Sequence, residues 1–339
     1  MIKNFVKHSV RLQDSLASLA SRMRMTEEEL KEFHNRNCGK MDKLWFTNLR
    51  GIKCILIPTD YISRQNRKAQ EENRLPSRYF PGFHGSAYFV SEMLKRNDQA
   101  NLKINYTVDL RVLHDKEGFI AKMLLRDFRK NGKIPDDKVS SLSLACMDKI
   151  YPISYALSQN GTLRSCLDGK HLIEKFKSKR AFLEEFFIGK ISKTYLDLFA
   201  ENISDENYFF SQIQSGLLYQ TLFPDLEWFH KRSAWIKKFY IYSHTFPLKF
   251  TCQTEYIFND FHFIEIKLTG TLSEDCSLRE LLKGIRLENE HPDDYIRVEI
   301  QIQYFIHKKA RQLHEVKSSV CIWHQNKLFR KHELRLTQK

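Results

Sequence analysis

Glycine and proline are scarce in this chain of 339 residues, at 12 and 8, and no run of about eighteen apolar residues occurs. The missing run excludes a membrane-spanning helix. Seven cysteines stand apart at positions 38, 54, 146, 166, 252, 276 and 321, with no Cys-x-x-Cys pair. An odd, scattered set fits free thiols in a reducing compartment rather than a disulfide framework. The opening "MIKNFVKHSVRLQDSLASLA" has basic residues but no continuous apolar segment ahead of Gln13 and Asp14. No export signal is therefore expected, and a cytoplasmic setting is. Catalytic signatures are missing as well: there is no GxGxxG, P-loop, GxSxG or HExxH. The expectation is a non-enzymatic chain without a cofactor.

What is present is aromatic, apolar and basic. Hydrophobic residues make up 42% and aromatics 13%, with 25 Phe and 14 Tyr, enough for ordinary cores and weighted towards sheet. Net charge is +14, and residues 301–339 alone hold nine Lys or Arg against two Asp or Glu. Lys308, Lys309, Arg311, Arg330, Lys331 and Arg335 are the candidate basic surface, suited to an acidic partner. Within "CIWHQNKLFRKHELRLTQK", Trp323 and Phe329 interleave with cations as a nucleic-acid stacking surface would. An edge hairpin whose outward cations block edge-to-edge pairing accounts for the same letters, and nucleic acid is not the expected partner.

Along the chain, the first unit spans residues 8–58. "HSVRL" reads as a strand. Asp14 is placed to cap a helix whose Leu16, Leu19, Ala20 and Met23 recur at helical spacing. Thr26 with Glu29 forms a capping box for a second helix, and "CILIP" is a closing strand. Residues 61–102 read as a charged linker or excursion, with "SAYFVSEMLKR" adding a short helix or strand. From 103 the period becomes two: Ile104, Tyr106, Val108 and Leu110 share one face, as do Ile296, Val298, Ile300 and Ile302. Asn160-Gly161 signals a hairpin and "RKNGK" a weaker one. Residues 171–222 read as helices, and strands resume from "FYIYSHTF". The expected class is α+β: a module over 1–60, a linker over 61–102, and over 103–339 a curved antiparallel sheet with helices on one face.

The motif Val10, Asp14-Ser15-Leu16, Leu19-Ala20, Met25-Thr26, Glu29-Leu30, Asn35 and Ile55-Leu56-Ile57-Pro58 resembles a LysM domain. That resemblance implies two helices packed on a two-stranded antiparallel sheet. It also implies a groove for N-acetylglucosamine-containing glycans between the strand–helix and helix–strand loops. By position the groove residues are Gln13, Asp14, Ser15 and Leu16 on one side, with Asn35 and the loop bearing Trp45 on the other. The chain departs from the pattern at Gln13, where glycine is usual, and in a longer loop between Asn35 and Ile55. Modules of this kind also occur in tail and baseplate proteins of phages and contractile injection systems. A docking component of such an assembly is the expected role, with protein partners; the alternative is a wall protein binding peptidoglycan or chitin.

Other candidates are weaker. His34 with Cys38, and His307 with His314, lack the two close ligand pairs of a structural zinc site. The acids at 135–137 and in "HPDD" at 291–294 have the composition of polar turns. The same curved sheet is also compatible with a half-barrel enclosing an apolar cavity.

Overall fold

The computed structural model describes residues 5–23, 25–58, 75–96, 99–115, 118–242, 245–257, 262–287 and 294–339. The chain divides into two compact units, Met1–Asn73 and Arg74–Lys339.

In the first unit, β1 (Phe5–Ser9) pairs antiparallel with β2 (Cys54–Pro58), Lys7 opposite Leu56. Between them run α1 (Leu16–Arg22) and α2 (Glu27–Asn37). The helical period buries Leu16, Leu19, Ala20 and Leu30 against Leu44 and Ile55. Thr26 and Glu29 form the expected reciprocal cap: the Glu29 N–H donates to the threonine hydroxyl at 3.2 Å, and the Thr26 N–H to the carboxylate at 2.9 Å. The cap of α1, however, is Ser15 and not Asp14. The Ser18 N–H donates to the Ser15 hydroxyl at 3.0 Å, and the Ser15 N–H to the Ser18 hydroxyl at 3.0 Å. The first strand also starts and ends earlier than "HSVRL", which leaves Leu12 fully exposed in the following loop.

The second unit is built on an antiparallel sheet of eleven strands, in the order β7-β6-β5-β4-β3-β13-β12-β11-β10-β9-β8. Two meanders make it up. The first comprises β3 (Ala87–Arg96), β4 (Gln99–Asp115), β5 (Gly118–Lys130), β6 (Ile153–Leu157) and β7 (Leu163–Cys166). The second comprises β8 (Trp235–Phe239), β9 (Leu248–Ile257), β10 (Phe263–Leu272), β11 (Ile296–His307), β12 (Leu313–His324) and β13 (Lys327–Gln338). Pairing of β3 with β13, Val90 opposite Leu336, joins them at the centre. The inward face alternates as the period of two requires, with Val298, Ile300, Ile302 and Tyr304 buried on β11. Helix α3 (Lys138–Ile150) lies between β5 and β6. Helices α4 (Gly169–Phe186), α5 (Lys190–Ser204), α6 (Glu206–Ser215) and α7 (Leu217–Leu222) carry the chain from one sheet edge to the other, and α8 (Leu278–Lys283) follows β10. The class is therefore α+β with a large antiparallel sheet.

Several expectations need correction. Residues 75–96 are no linker: Tyr79 and Phe83 are core, and β3 is a central strand. The "linker" residues 59–74 lie outside the described residues. "FYIYSHTF" does not continue as a strand, because β8 ends at Phe239 and the Gln220 side chain then takes both backbone groups of Tyr240. Its amide donates to the Tyr240 carbonyl at 2.9 Å, and its oxygen accepts the Tyr240 N–H at 3.0 Å. The C-terminal strands are not an edge hairpin either, since the edges are β7 and β8. The Asn160-Gly161 turn does join β6 to β7, with Gly161 at φ +93° and its α-carbon packed against Tyr79. "RKNGK" makes a tight turn, with Asn131 and Gly132 both at positive φ, but it leads into α3 rather than a second strand.

Candidate functional site

The groove residues named from sequence are mostly committed to the fold. Asp14 accepts from His8 Nε2 at 2.9 Å and from the Arg11 N–H at 2.9 Å, with Arg22 at 3.6 Å. The His8 bond, and next the Arg11 N–H, hold its carboxyl below the usual aspartate range. Ser15 is the cap and Leu16 is core, while Gln13 is exposed. Asn35 clamps the long loop, donating from Nδ2 to the Leu44 carbonyl at 2.8 Å and accepting the Leu44 N–H at 2.7 Å. His34 is a buried staple. The Leu56 N–H donates to Nδ1 at 3.1 Å, so Nε2 carries the proton and donates to the Asp42 carbonyl at 2.8 Å. The same loop presents Trp45 and Phe46 to solvent, 76% and 73% exposed. Among the described residues no cluster of three or more potential metal ligands occurs.

The six basic residues do not form one surface. Lys308, Lys309 and Arg311 sit at the β11–β12 turn. Lys331 bonds Glu333 at 2.7 Å and Arg335 bonds Glu315 at 2.6 Å, both on the outward face. Arg330 points inward. Trp323 lies under the Arg297 guanidinium at 4.6 Å, and Phe329 packs against the core, so the two rings form no stacking platform.

Arg330 belongs to a cleft of about 400 Å³ between β3, β4, β5 and β13 on one side and α3, α6 and α7 on the other. Four of its polar groups come from inward, even-numbered strand positions: Glu92 on β3, Tyr106 on β4, Arg330 and His332 on β13. His332 Nε2 donates to Glu92 Oε2 at 2.7 Å, and the Tyr106 hydroxyl donates to the other carboxylate oxygen. Burial raises the Glu92 carboxyl, but His332 and Tyr106 together outweigh it, so the group stays below the usual glutamate range. Burial, then the Glu92 charge, pushes the Tyr106 hydroxyl far above the ordinary tyrosine value. A β-bulge completes the wall. Two residues of β5 oppose Tyr106, with Asp127 at φ +62°, and this turns Phe128 inward to stack on Tyr106 at 5.0 Å.

Arg330 is the unusual member. Its guanidinium lies over the Tyr242 ring at 4.3 Å, and its Nε is buried with no hydrogen-bond acceptor. Its cross-strand partner is a second cation, Arg96. Burial, reinforced by the Arg96 charge, lowers the ionisation of Arg330 below the usual arginine value despite the opposing pull of Tyr242. The Tyr151 hydroxyl, also at the cleft wall, is buried beside the Tyr219 hydroxyl.

A Glu–His pair of this kind can orient a polar group or act as a base when a nucleophile adjoins it. The nearest inward hydroxyl on β12 is Ser318, which is buried and makes no hydrogen bond. The alternation of β4 was readable from sequence, but Glu92 and His332 are 240 positions apart and no local signal pairs them. Compared with known proteins, the chain matches no family model and no curated protein.

Proposed function

We propose that this chain is a non-enzymatic docking protein whose LysM-like first unit engages a protein partner, as a component of a phage-tail-like contractile assembly. The observation that carries the reading is the division of labour in the two groove loops. Asp14, Ser15, Leu16 and Asn35 spend their polar and apolar groups on caps, core and loop clamps. The exposed side chains left over include the apolar Leu12, Met41, Trp45 and Phe46, set among polar neighbours such as Gln13, Lys43 and Asn48. Aromatic anchors ringed by neutral contacts are what protein interfaces enrich. The assembly itself rests on the family resemblance, since fold alone does not fix function.

Exposed Trp45 also favours a second reading, because an indole face can stack on a sugar ring. Pelleting of the full-length protein with peptidoglycan and with chitin separates the two. The docking reading expects the protein to stay in the supernatant at physiological salt. It also expects co-purification with co-expressed tube or baseplate proteins, weakened about tenfold or more by Trp45→Ala with Phe46→Ala. Pelleting that survives added salt, and so is not polyanion attraction to a +14 chain, would replace docking by glycan binding.

A further inference from the structure

We infer that the cleft between the sheet and helices α3, α6 and α7 is a binding site for a small amphipathic anion: an aliphatic or aromatic body bearing one carboxylate, which Arg330 receives. The volume of about 400 Å³ lies in the range of small-molecule sites and far below what a folded partner needs. Most of the wall is apolar, with Ile104, Leu125, Phe128, Leu144, Met147 and Leu217 among its members. Such a lining suits a hydrocarbon body and would be wasted on a free inorganic ion.

The charge pattern fixes the sign of the head group. Glu92 already accepts from His332 and Tyr106, so the one carboxylate in the wall has little left for a cationic ligand. Arg330 has the opposite balance. Its fork is pre-oriented by stacking on Tyr242, and its Nε lacks an acceptor. The residue facing it across β3 and β13 is Arg96 rather than an acid. A half-buried guanidinium with its Nε shut away from water, beside a second cation, is costly unless a negative charge joins it. A carboxylate matches the guanidinium geometry and would supply the missing acceptor. The Tyr151 and Tyr219 hydroxyls lie at the same wall. This site lies within the second unit and does not depend on what the first unit docks.

Full-length protein titrated with myristate below its critical micelle concentration, followed by calorimetry and native mass spectrometry, tests the proposal. The expected result is one myristate per chain, with tetradecanol of the same chain length bound roughly tenfold more weakly or worse, the difference of a charge-assisted hydrogen bond. Arg330→Met should abolish that preference, bringing myristate down to the affinity of tetradecanol. Ser143→Trp, which fills the cleft from α3, should remove binding of both without lowering the thermal midpoint appreciably. Equal affinity of the wild type for acid and alcohol would overturn the anionic head group, and that comparison needs no variant. Failure of either to bind, or undiminished myristate binding by both variants, would overturn the site.

Discussion

His84 shows how a single side chain ties the helices to the sheet. It is buried, with the Tyr79 hydroxyl donating to Nδ1 at 2.7 Å and Nε2 donating to the Leu222 carbonyl at 2.7 Å. Because a carbonyl can only accept, Nε2 carries a proton, and since burial keeps the ring neutral Nδ1 is left to accept from Tyr79. Burial pushes its ionisation down to about 4, against a smaller opposing effect of the Leu222 bond. Between pH 6.5 and about 4 the unfolded chain binds a proton at this site that the folded chain does not. Stability is therefore fully present above pH 6.5 and falls as acid is added, by about 3 kcal/mol at the lower end. Urea unfolding at pH 7 and pH 4.5 checks this: the wild type should lose roughly 2 kcal/mol more than His84→Gln between those conditions. Parallel losses in the two proteins would remove His84 as the source. Nothing in the sequence marks this residue, because "YFPGFHG" follows a charged stretch and reads as part of an excursion. Only the fold brings Leu222, 138 positions away, against its ring.

At the scale of elements, sequence periodicity was most informative where one face is buried without interruption. The alternation of β11 and the helical spacing of α4 to α6 are of that kind, and the capping box at Thr26 announces α2 directly. Periodicity misled where a side chain competes for the backbone, as Gln220 does at Tyr240. It was silent where register shifts. The bulge in β5 is such a case, since on a regular strand Phe128 would face away from Tyr106. Its cause is the left-handed backbone of Asp127, which aspartate tolerates and β-branched residues do not. Asp127→Val should cost about 1–2 kcal/mol, whereas Asp127→Gly should be near neutral, its ion pair with Arg126 being exposed. Urea midpoints of the two variants decide the matter. A valine variant as stable as the glycine variant would mean that the turn is not what holds the bulge. The cleft was legible only as an alternative, a half-barrel enclosing a cavity, because Glu92, Tyr106, Arg330 and His332 come from three strands whose neighbours the sequence does not name.

For the whole molecule, the decisive contact is β3 with β13. Each meander is local, pairing strands that are neighbours in sequence, joined by turns or by a connection carrying one helix. The seam pairs the first strand of the body with the last, so long-range closure must precede the full gain from burial, which makes such topologies slow to fold. If the seam is what makes the body one cooperative unit, damage confined to it should release both meanders together. Arg335 offers a clean site. It faces outward, is exposed, and sits opposite Ser91 of β3 and Lys317 of β12. Arg335→Ala removes only the exposed pair with Glu315 and should change stability by about 0.5 kcal/mol or less. Arg335→Pro removes a ladder hydrogen bond in a central strand and should cost about 3 kcal/mol or more. In the proline variant, hydrogen exchange should accelerate in β4 and β5 as much as in β11 and β12. The first unit, with its own core around Leu30 and Ile55, should keep its protection. Loss of protection restricted to β11–β13 would show instead that the meanders are separate cooperative units that happen to share an edge.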